Sequence, residues 1–242
     1  MTATAAVTIG AMGIWANTAG AATAPVPVFP DNIVVFPDRD FVSVEGYMGY
    51  PGATALIEVN RPGVGIVGSA EAIVSGTDVA FEINHPGGYC WGNGTGVDVT
   101  PDIQPGDEVT LSIGGEALNT TTVLDVQASD SEVQLDGTTM LVRGHIADNV
   151  PADQMEQRII EPALRDTPIG KRDIRATFGD FQPGPNGGYI SKLEVDRATD
   201  SFLATYVFDD PAVAQIAAAA TGERAMAWQQ VDIDANRQGL TI

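Results

Sequence analysis

The chain has 242 residues, 44% of them hydrophobic, and carries 12 Lys and Arg against 32 Asp and Glu, a net charge of −20. Such acidity repels phosphate backbones and anionic lipid surfaces, which excludes nucleic acid and direct membrane-surface binding. One cysteine makes no internal disulfide and no cysteine-based zinc site, and two histidines leave little for histidine-based chemistry.

No charged side chain precedes Asp31. Residues 1–24 are apolar in the middle and small at the end, the pattern of a secretory signal peptide. Ala19-Gly20-Ala21 and Ala22-Thr23-Ala24 both suit the narrow peptidase pocket, although no Lys or Arg follows Met1. The expected location is therefore extracellular or at the cell surface. Pro25, Pro27 and Pro30 stiffen the exit from this segment.

Period-2 alternation of apolar and polar residues then dominates, the mark of half-buried strands. Strands are predicted at Phe41–Glu45, Thr54–Asn60, Val79–Ile83, Glu108–Ile113 and Thr121–Val126. Tyr50-Pro51-Gly52, Arg61-Pro62-Gly63, Pro105-Gly106-Asp107 and Gly114-Gly115 supply turns between them. The polar, small stretch Ala128-Ser129-Asp130-Ser131 reads as a domain boundary. Beyond it, strands are predicted at Glu132–Leu135, Thr139–Ile146, Asp173–Phe178, Tyr189–Val195, Phe202–Phe208 and Arg224–Ile233. Residues 151–170 are ambiguous and could open with a helical turn. One short helix is expected over Ala212–Ala220, capped by Asp210 with Pro211 at its first position. The fold class is thus all-β, with two β-sandwiches at 31–128 and 129–242 that should touch little.

The stretch VSVEGYMGYPGATALIEVNRPGVGIVGSAEA, Val42 to Ala72, resembles the opening of bacterial immunoglobulin-like domains of secreted and cell-surface proteins. Pro51-Gly52-Ala53, Val67-Gly68-Ser69-Ala70 and Pro105-Gly106-Asp107-Glu108-Val109 carry the likeness, which covers about residues 38–113. It implies two tandem immunoglobulin-like sandwiches. These motifs are turn chemistry, and they specify fold better than function.

The segment Asn84–Asp102 departs from that pattern. It carries His85, Tyr89 and Trp91, whose rings could stack on a carbohydrate or anchor a protein partner. Cys90 lies among these aromatics and reads as a buried structural residue, without a motif for a nucleophile. Asp98, Asp102 and Asp107 offer hard oxygen ligands, so a structural calcium ion is the one cofactor considered. Arg158, Arg165, Lys171, Arg172 and Arg175 form a basic run interleaved with acids, read as a salt-bridged edge or a docking patch. Gly63-Val64-Gly65-Ile66-Val67-Gly68 matches a dinucleotide-binding fingerprint by letters alone. It precedes a strand-like run, not a helix, and reads as a hairpin.

The expected function is an exported binding or spacer module without catalytic activity. A hydrolase with its site in the 84–102 loop is the competing class. A third is a structural subunit of a surface layer or virus-like particle. The chain stops at Ile242 without a polar tail, which fits a piece of a longer protein.

Overall fold

The computed structural model describes residues 30–220, 224–229 and 236–241. The predicted signal segment and the end of the strand expected at Arg224–Ile233 lie outside them. The described chain is mostly β-structure in several sheets, and among the described residues no helix is long and apolar enough to cross a membrane.

The first half contributes β1 (Asn32–Phe36), β2 (Phe41–Glu45), β3 (Thr54–Arg61), β4 (Gly65–Ile73), β5 (Val79–Ile83), β6 (Glu108–Ile113) and β7 (Glu116–Thr122). Alternation decides which side chains go inward. In β6, Val109, Leu111 and Ile113 are buried while Glu108 is exposed. The strands β4-β3-β6-β7 form one sheet, and β1-β2-β5 run beside one another in another. Ile33, Val35, Val42 and Val44 from the second meet Ile57, Val59, Val109 and Leu111 from the first across a common core. Each such side chain contributes about 1.5–3 kcal/mol on burial. The turn at Gly46 needs a glycine: φ is +82°, and a Cβ there would lie 2.7 Å from the Pro30 carbonyl. The glycine run at 63–68 is the β3–β4 hairpin, as expected.

The second half contributes β8 (Val126–Asp136), β9 (Thr139–Ile146), β10 (Met155–Ile160), β11 (Asp173–Thr177), β12 (Gln182–Pro183), β13 (Tyr189–Asp196), β14 (Ser201–Phe208), α1 (Pro211–Ala218), β15 (Arg224–Gln229) and β16 (Arg237–Thr241). One sheet runs β12-β13-β14-β9-β8, and β11-β10-β15-β16 lie side by side in another. Met140, Val142, Leu193 and Phe202 meet Ile159 and Ile174 in a second core. The helix begins as predicted: Asp210 Oδ1 accepts the Ala212 N–H at 2.8 Å, and Pro211 sits in the first turn.

Residues 151–170 open with a short helical turn at Ala152–Gln154, and a second at Pro162–Asp166 follows β10, where Met155, Gln157 and Ile159 face inward at period 2. Two expectations need correction. The strand expected at Thr121–Val126 is interrupted, because Val123 is buried in the first core and Leu124 in the second. The boundary placed at Ser129–Ser131 falls inside β8. There the ladder with β9 loses register between Ala128 and Val133, so this polar stretch is an irregularity in a strand.

Nor do the halves merely touch. β1 pairs in parallel with β16, joining β11-β10-β15-β16 and β1-β2-β5 into one seven-stranded sheet. A buried polar network backs the seam. Asn236 Oδ1 accepts from the Ile33 N–H at 2.8 Å and from Asn119 Nδ2 at 2.7 Å, and Asn236 Nδ2 donates to Asn119 Oδ1 at 2.7 Å. Asn119 Nδ2 also donates to the Tyr47 hydroxyl at 2.9 Å, and burial raises that phenol's pKa. Gln238 exchanges two bonds with the Leu124 backbone, at 2.7 and 2.8 Å. Arg237 reaches Asn32 and Glu45. Phe36 covers Gly239, where a Cβ would meet its ring at 2.3 Å.

Candidate functional site in the 84–102 loop

The loop leaves β5 through Asn84, whose φ of 66° turns the chain sharply. Its side-chain amide donates to the carbonyls of Arg39 (3.0 Å) and Asp40 (3.3 Å). The Asn84 N–H donates to Tyr89 O at 2.7 Å, and the Tyr89 N–H to Glu82 O at 2.8 Å, so residues 85–88 form a tight tip. The chain then follows the outer edge of β4. The Gly92 N–H donates to Ser69 O at 2.8 Å, and the Glu71 N–H donates to Asn93 O at 2.7 Å. An open strand edge is a template for unwanted pairing, and this loop seals it.

The aromatic residues divide. Trp91 is 4% exposed, and its indole N–H donates to Asp40 O at 2.8 Å. Its ring is part of the first core, which corrects its expected role as a stacking platform. Tyr89 is half-buried against the same core, and its hydroxyl accepts the Ile73 N–H at 3.1 Å. His85 alone of the three is exposed. Its Nδ1 lies 2.9 Å from Glu82 Oε2, and its ring lies 5.2 Å from that of Phe41. Phe41 in turn stacks on Phe36 at 5.1 Å. The rings of Phe36, Phe41 and His85 therefore form a continuous row that starts over Gly239 and ends at the loop tip.

Cys90, expected to be buried, is exposed. The backbone needed to bury Trp91 turns its neighbour outward. Replacing Cys90 by alanine should change stability by less than about 0.5 kcal/mol, as for most surface substitutions. In the native protein the thiol should react with a disulfide reagent about as fast as in the unfolded chain. Slow reaction until unfolding would contradict this placement.

The carboxylates expected to hold calcium do not converge. Both oxygens of Asp107, 1% exposed, are taken by Arg61 (2.8 Å each), and Oδ2 also accepts the Gln104 N–H at 2.9 Å. Asp102 instead engages Gln104. Among the described residues no three His, Cys, Asp or Glu side chains are gathered as a metal ion needs. Asp107 is thus an anchor for the 102–107 turn, with Arg61 supplying the charge a cation was expected to supply.

Asp40 ties the loop to the first half. It has φ of 48°, and its Oδ1 accepts the Ile103 N–H at 2.8 Å. Burial raises its pKa, the Ile103 bond opposes that, and nearby Asp102 raises it further. A raised carboxyl pKa means that the folded state binds a proton more readily than the unfolded chain. The associated stability is full below the ordinary carboxylate range and is lost as pH rises through the folded pKa. Asp40→Asn keeps an acceptor for Ile103 and removes the ionisation. It should therefore raise the melting temperature at pH 7, and the pH-dependent part of that gain should vanish at pH 3. A gain equal at both pH values would refute the ionisation argument.

The basic run resolves into an ion-pair cluster at one end of the seven-stranded sheet. Arg158 and Arg175 face each other across β10 and β11, and both bond Glu156, which is 8% exposed; Arg175 also pairs with Asp173. Arg165, Lys171 and Arg172 remain exposed. The opposite edge of β11 is not open either: the Arg175 N–H donates to the Tyr189 hydroxyl at 3.3 Å, and Ser191 Oγ donates to Arg175 O at 2.7 Å. A cleft of 180 Å³ lies beside the start of α1, lined by Pro168, Ile169, Gly188, Asp209, Asp210 and Val213. It is smaller than the roughly 300–1,000 Å³ of usual small-molecule sites.

No protein-family model matches the chain, and neither does any curated protein.

Glu156, Asn119, Asn236 and Gln238 escaped the sequence reading. A usable signal existed in part. Asn119 has the same strand parity as the inward Thr121, so a polar residue stands where alternation demands a buried one. Such residues need partners, and here the partners come from the other half of the chain.

Proposed function

We propose that the protein is an exported, non-catalytic spacer and binding module built from two immunoglobulin-like sandwiches. The observation that carries this reading is strand order. Lettering the first half in chain order as A, B, C, C′, E, F and G puts A-B-E in one layer and C′-C-F-G in the other. The second half repeats it: β8-β9-β14-β13 correspond to A-B-E-D and β11-β10-β15-β16 to C′-C-F-G. This order supports the immunoglobulin-like reading, in which strands A, B and E share one layer and C, F and G the other. The 84–102 loop favours support over turnover, because its indole and the amides of Asn84 and Asn93 are spent on holding backbone. Its exposed tip, His85 beside Phe41, is the place for a carbohydrate or protein ligand to stack.

Two measurements test the reading. Material secreted from cells expressing the chain should begin near Ala22 or Pro25 on N-terminal sequencing; an intact Met1 on cytosolic protein would end the export claim. His85→Ala should weaken capture on a glycan or surface-protein array without shifting the melting temperature. Capture unaffected by this change would remove the loop tip from the function.

A further inference from the structure

We infer that the protein bears tensile load, and that the pairing of β1 with β16 is the clamp that resists it. The first and last described strands are parallel neighbours, with Val34 opposite Arg237 and Val35 opposite Gln238. Being parallel, they start at the same end of the sheet. The chain before β1 therefore leaves from one end of this pair, and the chain after β16 leaves from the other. Tension applied through both chain ends draws β1 and β16 lengthwise past each other.

In that direction the cross-strand bonds lie across the pull and are loaded together. The side chains add to them. Asn236 holds Ile33 and Asn119, Gln238 holds Leu124 at both its N–H and carbonyl, Arg237 holds Asn32 and Glu45, and the Phe36 ring is seated over Gly239. Most of these anchors are buried: Asn119, Asn236 and Gln238 are 0, 3 and 4% exposed. Water therefore competes poorly for the bonds while they are strained. The force passes directly from β1 to β16, so both cores are shielded until the clamp gives way. Tandem modules held only by a linker would carry the load through each module in turn.

The inference rests on the spacer half of the reading above, since load reaches the protein only where both ends are held. Its test needs neither export nor a ligand, so the two can fail separately. The full chain is stretched by single-molecule force spectroscopy in two geometries. In one, handles are attached at the two chain ends. In the other, they are attached at the C-terminal end and at position 38, through Asp38→Cys in a Cys90→Ser background. Residue 38 follows β1 at the end from which β16 also leaves, so the second geometry unzips the pair bond by bond.

Pulling through the ends should need about twice the rupture force of unzipping at equal loading rate, because forced rupture follows the barrier along the direction of pull. Gln238→Ala should lower the end-to-end force and leave the unzipping force nearly unchanged. Equal forces in the two geometries would overturn the clamp. So would an end-to-end force that Gln238→Ala does not alter. Should that variant fail to fold, the comparison of directions on the unsubstituted seam still decides.

Discussion

Replacing Asn236 by alanine should lower the stability of the folded chain by about 3 kcal/mol, read as a fall in the urea midpoint at unchanged slope. The wild-type amide satisfies the Ile33 N–H, one Asn119 N–H and the Asn119 carbonyl oxygen, all within 2.8 Å. Alanine leaves those groups orphaned in a site where Asn119 is 0% exposed. Each orphan costs about 1–3 kcal/mol, and part of that is recovered by relaxation. Asn236→Asp should also destabilise, because a carboxylate cannot donate to Asn119 Oδ1 and sets two acceptors against each other. The double variant Asn119→Ala with Asn236→Ala should cost less than the sum of the single changes, since it removes both sides of the reciprocal pair. Strict additivity, or a loss below about 1 kcal/mol, would show that the network does not hold the halves together.

Truncating Phe202 to alanine should cost about 3–5 kcal/mol, the range for emptying an aromatic site in a packed core. Phe202 is 2% exposed on β14 and stands opposite Gly144 on β9. Its ring fills the space that a side chain at Gly144 would take: a Cβ there would lie 2.2 Å from Phe202 Cε1 and 2.2 Å from Gln127 O. The two positions are one packing unit, a bare glycine roofed by a ring. Gly144→Ala should therefore destabilise as well, through overpacking of about 1–3 kcal/mol. Removing the ring relieves only one of the two clashes, because the Gln127 carbonyl belongs to the neighbouring strand. The double variant should thus be no more stable than Phe202→Ala alone. Recovery of stability in the double variant would show that the backbone yields at this point.

The same physics accounts for what the loop residues turned out to do. A bulky ring next to a tight turn has a choice between water and a nearby core. For Trp91 the core wins, because burial gains apolar contact and Asp40 O accepts the indole N–H, so no polar atom is sacrificed. His85 keeps its exposed position, where Glu82 and Phe41 hold its orientation. The Trp91 outcome depends on Asp40, 51 residues away along the chain, and no local pattern in 84–102 announces it.

The sequence by itself determined the β-rich class, the positions of β2, β3, β5, β6, β9, β13 and β14 within a residue or two, and the capped helix α1. These follow from local causes: period-2 burial, turn residues with the right backbone freedom, and a carboxylate that caps the first turn of a helix. The tertiary structure alone decided that β1 and β16 are strands at all and that they are partners. A short terminal strand such as Arg237–Thr241, with Gln and Gly in its middle, has no stable extended form until its N–H and C=O groups meet another edge. The edge it meets is separated by 203 residues at the Ile33–Asn236 bond, a distance over which alternation carries no information about register. Likewise the polar residues at the seam look out of place in isolation. They become favourable only once each has found its counterpart, because the cost of burying an amide depends on the partner and not on the segment that carries it.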